Sequence, residues 1–328
     1  MSFVIEEIVA SREALSWRTF PLPRAIELKS NIARIFSQHL GDLRQEISFE
    51  SQCLIVTGES GAGKTKEVKH QITQFNDAGI LLPDGKPAKI VSCLLDAKGG
   101  WKDLGSTTLR ALGYPIENLA RHTQASITAK IVDHAKRCGV VGIHFDEAQH
   151  ILRSKNLANR HVILDAFKTL LKSQDWPLML ILTGIPELMG YIQEEPQLHR
   201  LATQQIFPDL EVPGDLNIIN DIVQSAAMES GLEVSDDIMT RDLYTRLATS
   251  GAFRWGLVIG LVVGVCEAAI ERGSRILERV DFEEAWRAKV ASRTGVNPFT
   301  QDAYDLMLRR EQPFRLFSQA EYIHEITA

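Results

Sequence analysis

Short apolar runs alternate with longer amphipathic stretches through the first two thirds of the chain. Residues 53–57 (Cys-Leu-Ile-Val-Thr), 89–95 (Lys-Ile-Val-Ser-Cys-Leu-Leu), 140–145 and 178–183 read as strands, with 205–210 as a weaker fifth. Residues 64–75, 124–137 and 159–173 read as helices between them. Runs that are apolar throughout belong to strands buried on both faces, and their alternation with helices predicts a mainly parallel, five-stranded sheet covered on both sides. The pattern changes after Pro213. Residues 216–230, 236–249, 253–271 and 281–292 all read as helices, broken at Gly231, Gly251 and Gly273, with Asp281 as the N-cap of the last. Pro21-Leu22-Pro23-Arg24 opens a further helix over 25–40, and 294–328 reads as an extended tail. The expected fold class is α/β, followed by a small all-helical domain: arm 1–48, core 49–212, helical domain 213–292, tail 293–328.

Composition adds little to this. The 328 residues are 45 % hydrophobic and 24 % charged, as in an ordinary globular protein. Cys53, Cys93, Cys138 and Cys266 lie far apart without metal-ligand spacing, so they read as small core residues in a reducing, cytoplasmic setting. Met-Ser-Phe-Val-Ile-Glu-Glu shows no basic stretch before an apolar core, so no secretory signal is expected. Residues 255–266 imitate a membrane span, with Gly256, Gly260 and Gly264 at small-xxx-small spacing. The uncharged run stops at Glu267, short of the roughly 20 residues a bilayer needs, so a buried helix allowing close backbone approach is expected, and no membrane partner. A net charge of −6 disfavours strong nucleic-acid binding by the bulk surface. It leaves room for a local basic strip that an oligomer would multiply.

The chemistry begins after the first strand. Gly58-Glu59-Ser60-Gly61-Ala62-Gly63-Lys64-Thr65 fits G-x-x-x-x-G-K-[ST], the phosphate-binding loop, between a strand and a helix as that motif requires. Glycines let successive N–H groups turn inward on phosphate oxygens, and the helix N-terminus adds positive potential. Lys64 would reach the β- and γ-phosphates of ATP, and the Thr65 hydroxyl would take one position on Mg2+. The third strand ends Ile143-His144-Phe145-Asp146-Glu147. An acidic pair there supplies a magnesium carboxylate, Asp146, and a base for the attacking water, Glu147. His144 interrupts the apolar run and faces the same side as Asp146. It reads as a hydrogen-bonded core histidine or as a group that senses the metal.

The ordered set of phosphate loop, Asp146-Glu147, Thr183 and Gly251-Ala252-Phe253-Arg254, with helices behind, resembles the AAA+ ATPases. Val-Thr-Gly-Glu-Ser-Gly-Ala-Gly-Lys-Thr, Phe-Asp-Glu-Ala-Gln-His-Ile-Leu and Leu-Thr-Gly-Ile-Pro-Glu-Leu look most like the TnsC/TniB family of transposition regulators. The resemblance covers about residues 21–292. It implies that Thr183 lies beside the γ-phosphate, that Arg254 reaches the phosphates from a helical lid, and that Arg200 acts in trans as an arginine finger. It also implies assembly on double-stranded DNA as a ring or filament, recruitment of a transposase and of a target-selection protein, and disassembly on slow, regulatory ATP hydrolysis. DNA is gripped in that family after the second strand, where this chain has Lys98, Trp101 and Lys102. His144 and the reduction of an arginine cluster to Arg200 depart from the family pattern. Two other readings share the core: a replication initiator or helicase loader, and a nucleotide-switched scaffold that never touches DNA. Initiators usually append a winged helix, for which the roughly 35 residues after Ser292 are too few.

Overall fold

The computed structural model describes residues 4–16, 20, 22–95, 100–114, 121–153, 157–290 and 296–317. Two helices, α1 (Glu6–Ser16) and α2 (Pro23–Gln45), precede β1 (Cys53–Thr57), α3 (Lys64–Asp77), β2 (Lys89–Leu94), α4 (Trp101–Ala111), α5 (Gln124–Cys138) and β3 (Val140–Asp146). Then come α6 (Gln149–Leu152), α7 (Leu157–Leu171), β4 (Met179–Gly184), α8 (Glu187–Gln193), α9 (Pro196–Arg200) and β5 (Ala202–Ile206). The chain divides into two compact units: residues 23–60 with 64–207, and residues 1–22, 61–63 and 208–328.

The first unit is an α/β layer structure around one parallel sheet of order β2-β3-β4-β1-β5. Every residue of β1, β3 and β4 is buried, as the unbroken apolar runs require, whereas the edge strands β2 and β5 are partly exposed. Connections leave β1 in one direction and arrive at β5 from the other, so β1 lies at a topological switch, where α/β sheets bind ligands beyond the strand C-termini. Register sets what meets there: Thr57 pairs with Gly184 and Phe145 with Leu182, which brings the ends of β1, β3 and β4 level.

β5 begins three residues before the predicted fifth strand. Its polar sequence Ala-Thr-Gln-Gln-Ile suits an edge, and its one buried residue, Gln205, bonds to α2 through the Arg24 carbonyl (2.8 Å) and Asn31 (3.2 Å). The apolar run that follows leaves the sheet, carrying the buried Phe207 and Leu210.

The second unit is helical: α10 (Leu216–Glu229), β6 (Glu233–Val234), α11 (Arg241–Ser250), α12 (Trp255–Glu271), β7 (Ile276–Leu277), α13 (Arg279–Lys289) and α14 (Tyr304–Met307), with β6 and β7 paired in parallel. One continuous helix is predicted over 236–249. Instead a 3-10 turn over Asp236–Ile238 ends, and Thr240 caps a new helix by accepting the Leu243 N–H at 3.2 Å. α12 buries Val258, Leu261, Val262, Val265 and Cys266. Of its spaced glycines only Gly256 requires a bare Cα: a Cβ there would lie 2.5 Å from the Gly61 carbonyl, whereas one at Gly260 meets nothing. Among the described residues no single helix is long and apolar enough to cross a membrane. α1, absent from the sequence reading, packs on α10 and α12 and buries Ser11 and Leu15.

Residues 296–317 are not the extended tail that their prolines suggest. The buried Arg246 guanidinium donates to the carbonyls of Pro298 (2.7 Å) and Gln301 (2.6 Å) and stacks on Tyr304, while Phe299 is buried against Phe282. A planar cation with several fixed donors suits a segment rich in otherwise unpaired carbonyls.

Candidate functional site

The loop after β1 turns on Gly61 and Gly63, whose φ values of +83° and +92° are open to glycine and strained for other residues. Gly58 and Ala62 are buried, and Glu59 and Ser60 are exposed. Lys64 and Thr65 open α3. Lys64, 5 % exposed, folds its ammonium back to donate to the carbonyls of Gly58 (2.7 Å) and Glu59 (3.0 Å).

The ends of β3 and β4 complete the constellation. Asp146 Oδ1 accepts from the hydroxyls of Thr65 (3.0 Å) and Thr183 (2.6 Å), and Lys69 Nζ lies 3.8 Å from Oδ2. Residues predicted separately from the loop, the acidic pair and the fourth strand therefore share one carboxylate. His144 Nε2 is 3.1 Å from Thr183 Oγ1, and its Nδ1 is 2.8 Å from Ser92 Oγ on β2. Burial pushes His144 down to about 4, although the Asp146 carboxylate pulls the other way, so the ring is neutral at neutral pH. Glu147 has a left-handed backbone, φ +54°, and the Ala148 N–H donates to the Thr183 carbonyl at 2.9 Å. The Gln149 amide donates to the Glu147 carboxylate, with His150 Nε2 3.8 Å away.

Four of these groups were missed in the sequence. Lys69 follows Thr65 by one helical turn, a spacing that places both on one face of α3. Gln149 and His150 stand directly after the acidic pair. Ser92 carries no local signal, since only strand register brings it to His144.

The remaining candidates make other contacts. Arg200 closes α9 before β5, is exposed, and pairs with Glu50 at 2.5 Å; Glu50, which also takes Lys172, is held below the usual carboxylate range by those two cations. Trp101 and Lys102 open α4 rather than sit in a loop. Trp101 is half-buried and lines a small cavity with Leu104, Ile127 and Leu170, and Lys102 Nζ lies 5.6 Å from its ring centroid. Lys98 lies outside the described residues. In the helical unit Arg254, the N-cap residue of α12, is 3 % exposed, donates to Glu311 at 2.5 Å and stacks on Phe314 at 4.6 Å.

Thr65 and Asp146 fit Mg2+ by their chemistry. Both are hard oxygen donors held 3.0 Å apart. Magnesium that keeps waters and phosphate oxygens needs only one or two protein ligands. No cluster of three or more His, Cys, Asp or Glu that could hold a metal ion occurs among the described residues.

A parallel sheet with this loop at its switch point and this carboxylate beside it defines an AAA-type P-loop ATPase domain. Residues 46–192, a little under half of the chain, match the family described as AAA domain. The fold is similar to the ORC2 protein of Aeropyrum pernix, solved as ADPNP–ADP complexes, at 18 % identity and TM-score 0.59 over 84 % of this chain and 71 % of that one. It is also similar to Aeropyrum pernix ORC1 in complex with DNA (15 %, 0.59, 86 % and 71 %) and to Cdc6p of Pyrobaculum aerophilum (13 %, 0.57, 87 % and 72 %). At these identities the likeness is one of fold. No curated protein matches the chain in sequence.

Proposed function

We propose that the chain is an ATP-hydrolysing regulator of transposition that assembles on double-stranded DNA as a homo-oligomer and recruits or activates a transposase. The observation that carries the ATPase part is the Asp146 carboxylate, which joins the hydroxyls of Thr65 and Thr183 beside the buried Lys64. In this reading Lys64 exchanges its two loop carbonyls for phosphate oxygens, Thr65 and Asp146 hold magnesium, and Glu147 takes the proton of the attacking water. Magnesium supplies charge neutralisation of the β- and γ-phosphates. Arg254, and Arg200 from a neighbouring copy, are the guanidinium candidates for charge that develops in the transition state. The transposition part rests on the TnsC/TniB-like wording of the motifs. Lys98, Trp101 and Lys102 are the DNA-contact candidates, and two lysines per copy make affinity depend on oligomerisation.

A second reading, a replication initiator or helicase loader, is favoured by the fold shared with ORC1, which was solved in complex with DNA.

The test combines ATP turnover with negative-stain imaging in ATP and duplex DNA, for wild type and Lys64→Ala. Turnover and DNA-dependent rings or filaments are expected in the wild type and lost in the variant. Equal ATP affinity in both would remove the phosphate-loop assignment. Turnover without any DNA-dependent assembly at low salt would remove both DNA readings and leave a nucleotide-switched scaffold.

A further inference from the structure

The hydrogen-bond chain across β2, β3 and β4 can be assigned proton by proton. A carboxylate only accepts, so at 2.6 Å the Thr183 hydroxyl must donate to Asp146 Oδ1. That spends the one proton Thr183 has. The contact of 3.1 Å between Thr183 Oγ1 and His144 Nε2 then requires the ring to donate, which fixes the Nε2–H tautomer. His144 Nδ1 is left with a lone pair, and Ser92, 2.8 Å away, must donate to it. Every proton in the chain points toward Asp146. An apolar residue at position 144, which the rest of β3 would suggest, leaves the Thr183 oxygen in a fully buried position without this donor.

We propose that Ser92 and His144 are positioning residues that commit the Thr183 hydroxyl to Asp146, so that Thr183 sets the magnesium-holding carboxylate instead of donating to phosphate. The proposal rests on the reading of Asp146 as a magnesium residue. It changes the role of Thr183 from a group beside the γ-phosphate to the outer partner of a metal ligand. Such outer partners fix a ligand's orientation, and losing one typically costs about 10–100-fold in metal affinity or activity.

The experiment measures binding of a fluorescent ATP derivative to the full chain by anisotropy, once with Mg2+ and once with EDTA. The ratio of the two affinities reports the magnesium contribution without any turnover. His144→Leu is expected to lose about tenfold or more of that ratio at unchanged affinity in EDTA. His144→Gln, which keeps an N–H donor near the Nε2 position, should retain most of it, and Ser92→Ala should fall between. Circular dichroism and melting temperature show that each variant is folded. A His144→Leu protein with the wild-type ratio overturns the proposal. So does one that loses affinity equally in both solutions, the mark of a merely structural role, or a His144→Gln variant as impaired as the leucine one. Wild-type protein that binds no nucleotide in either solution overturns the phosphate-loop reading itself, and the relay's role with it.

Discussion

His39 should make the α/β unit acid-labile. It sits in α2, 2 % exposed, with Nδ1 3.0 Å from Ser51 Oγ, Phe49 edge-on at 5.0 Å, and, among the described residues, no hydrogen-bond partner for Nε2. Burial pushes its pKa down to about 4. An unfolded chain titrates histidine near 6.5, so below that pH the unfolded state takes a proton that the native state refuses. Stability from His39 is therefore complete above about pH 6.5 and is lost as pH falls toward about 4, where the native ring also protonates. The gap of about 2.5 units corresponds to at most about 3 kcal/mol, of which about 2 kcal/mol is gone at pH 5. His144 acts in the same direction, so the measurement must be a difference. His39→Asn keeps an amide near Ser51 and removes the titration. Urea unfolding of both proteins at pH 7.5 and pH 5 should show the wild type losing about 2 kcal/mol more than the variant. The His39 ring resonance should hold still in NMR spectra from pH 7.5 to pH 5. Parallel pH dependence in the two proteins, or a ring that titrates near 6.5, would refute the argument.

Other outcomes test the site directly. Glu147→Gln should keep ATP affinity and lower single-turnover hydrolysis by about 100-fold or more, the range of a lost general base; normal turnover takes Glu147 out of that role. Arg254 must leave Glu311 and Phe314 before it can serve a phosphate, so Glu311→Gln should tighten ATP binding in a titration, and adding Arg254→Ala should cancel the gain. An unchanged affinity in the Glu311 variant would mean that the arginine belongs only to the packing of residues 296–317. Lys98→Ala with Lys102→Ala should reduce the salt dependence of DNA binding by nearly two logarithmic units per protomer engaged, with nucleotide affinity unaltered. No change in that slope would move the DNA surface elsewhere.

The legible parts of the fold were those where burial is total. β1, β3 and β4 are covered on both faces, so nothing polar interrupts their runs except His144, and all three stand where periodicity places them, to within a residue or two at each end. β5 was misplaced because an edge strand needs only one buried side chain. That residue is Gln205, whose amide is satisfied by donating to the Arg24 carbonyl and accepting from Asn31, both on α2. α1 was missed because a helix that, among its described side chains, buries Ser11 and Leu15 is stabilised by what it packs on rather than by its own pattern. The phosphate loop and the acidic pair were legible because local spacing defines them. Ser92 was not, because it joins the site only through the pairing of β2 with β3. The partner of Arg254 was hidden for the same reason: Glu311 is 57 residues away in a segment that reads as tail.

Backbone strain points to the same places as the side-chain chemistry. Among the described residues four that are not glycine have positive φ, and three of them lie in motifs: Glu147 at +54°, Ala252 at +52° and Phe253 at +59°. Each costs of order 1 kcal/mol or more relative to a relaxed backbone, and glycine would relieve it. The chain has 22 glycines and places none at these positions. What glycine would forfeit is therefore the side chain itself or its direction. At 147 that is a carboxylate beside Asp146, held in place by the Gln149 amide. At 253 it is a ring on which Arg310 stacks at 5.0 Å, while the Phe253 carbonyl takes the Leu210 N–H at 2.7 Å. The pair at 252 and 253 turns the chain out of α11 so that the next residue, Arg254, becomes the N-cap of α12. Strain at both points is tolerated because strand pairing on one side and helix packing on the other over-determine the backbone, and the two side chains delivered are Glu147 and Arg254.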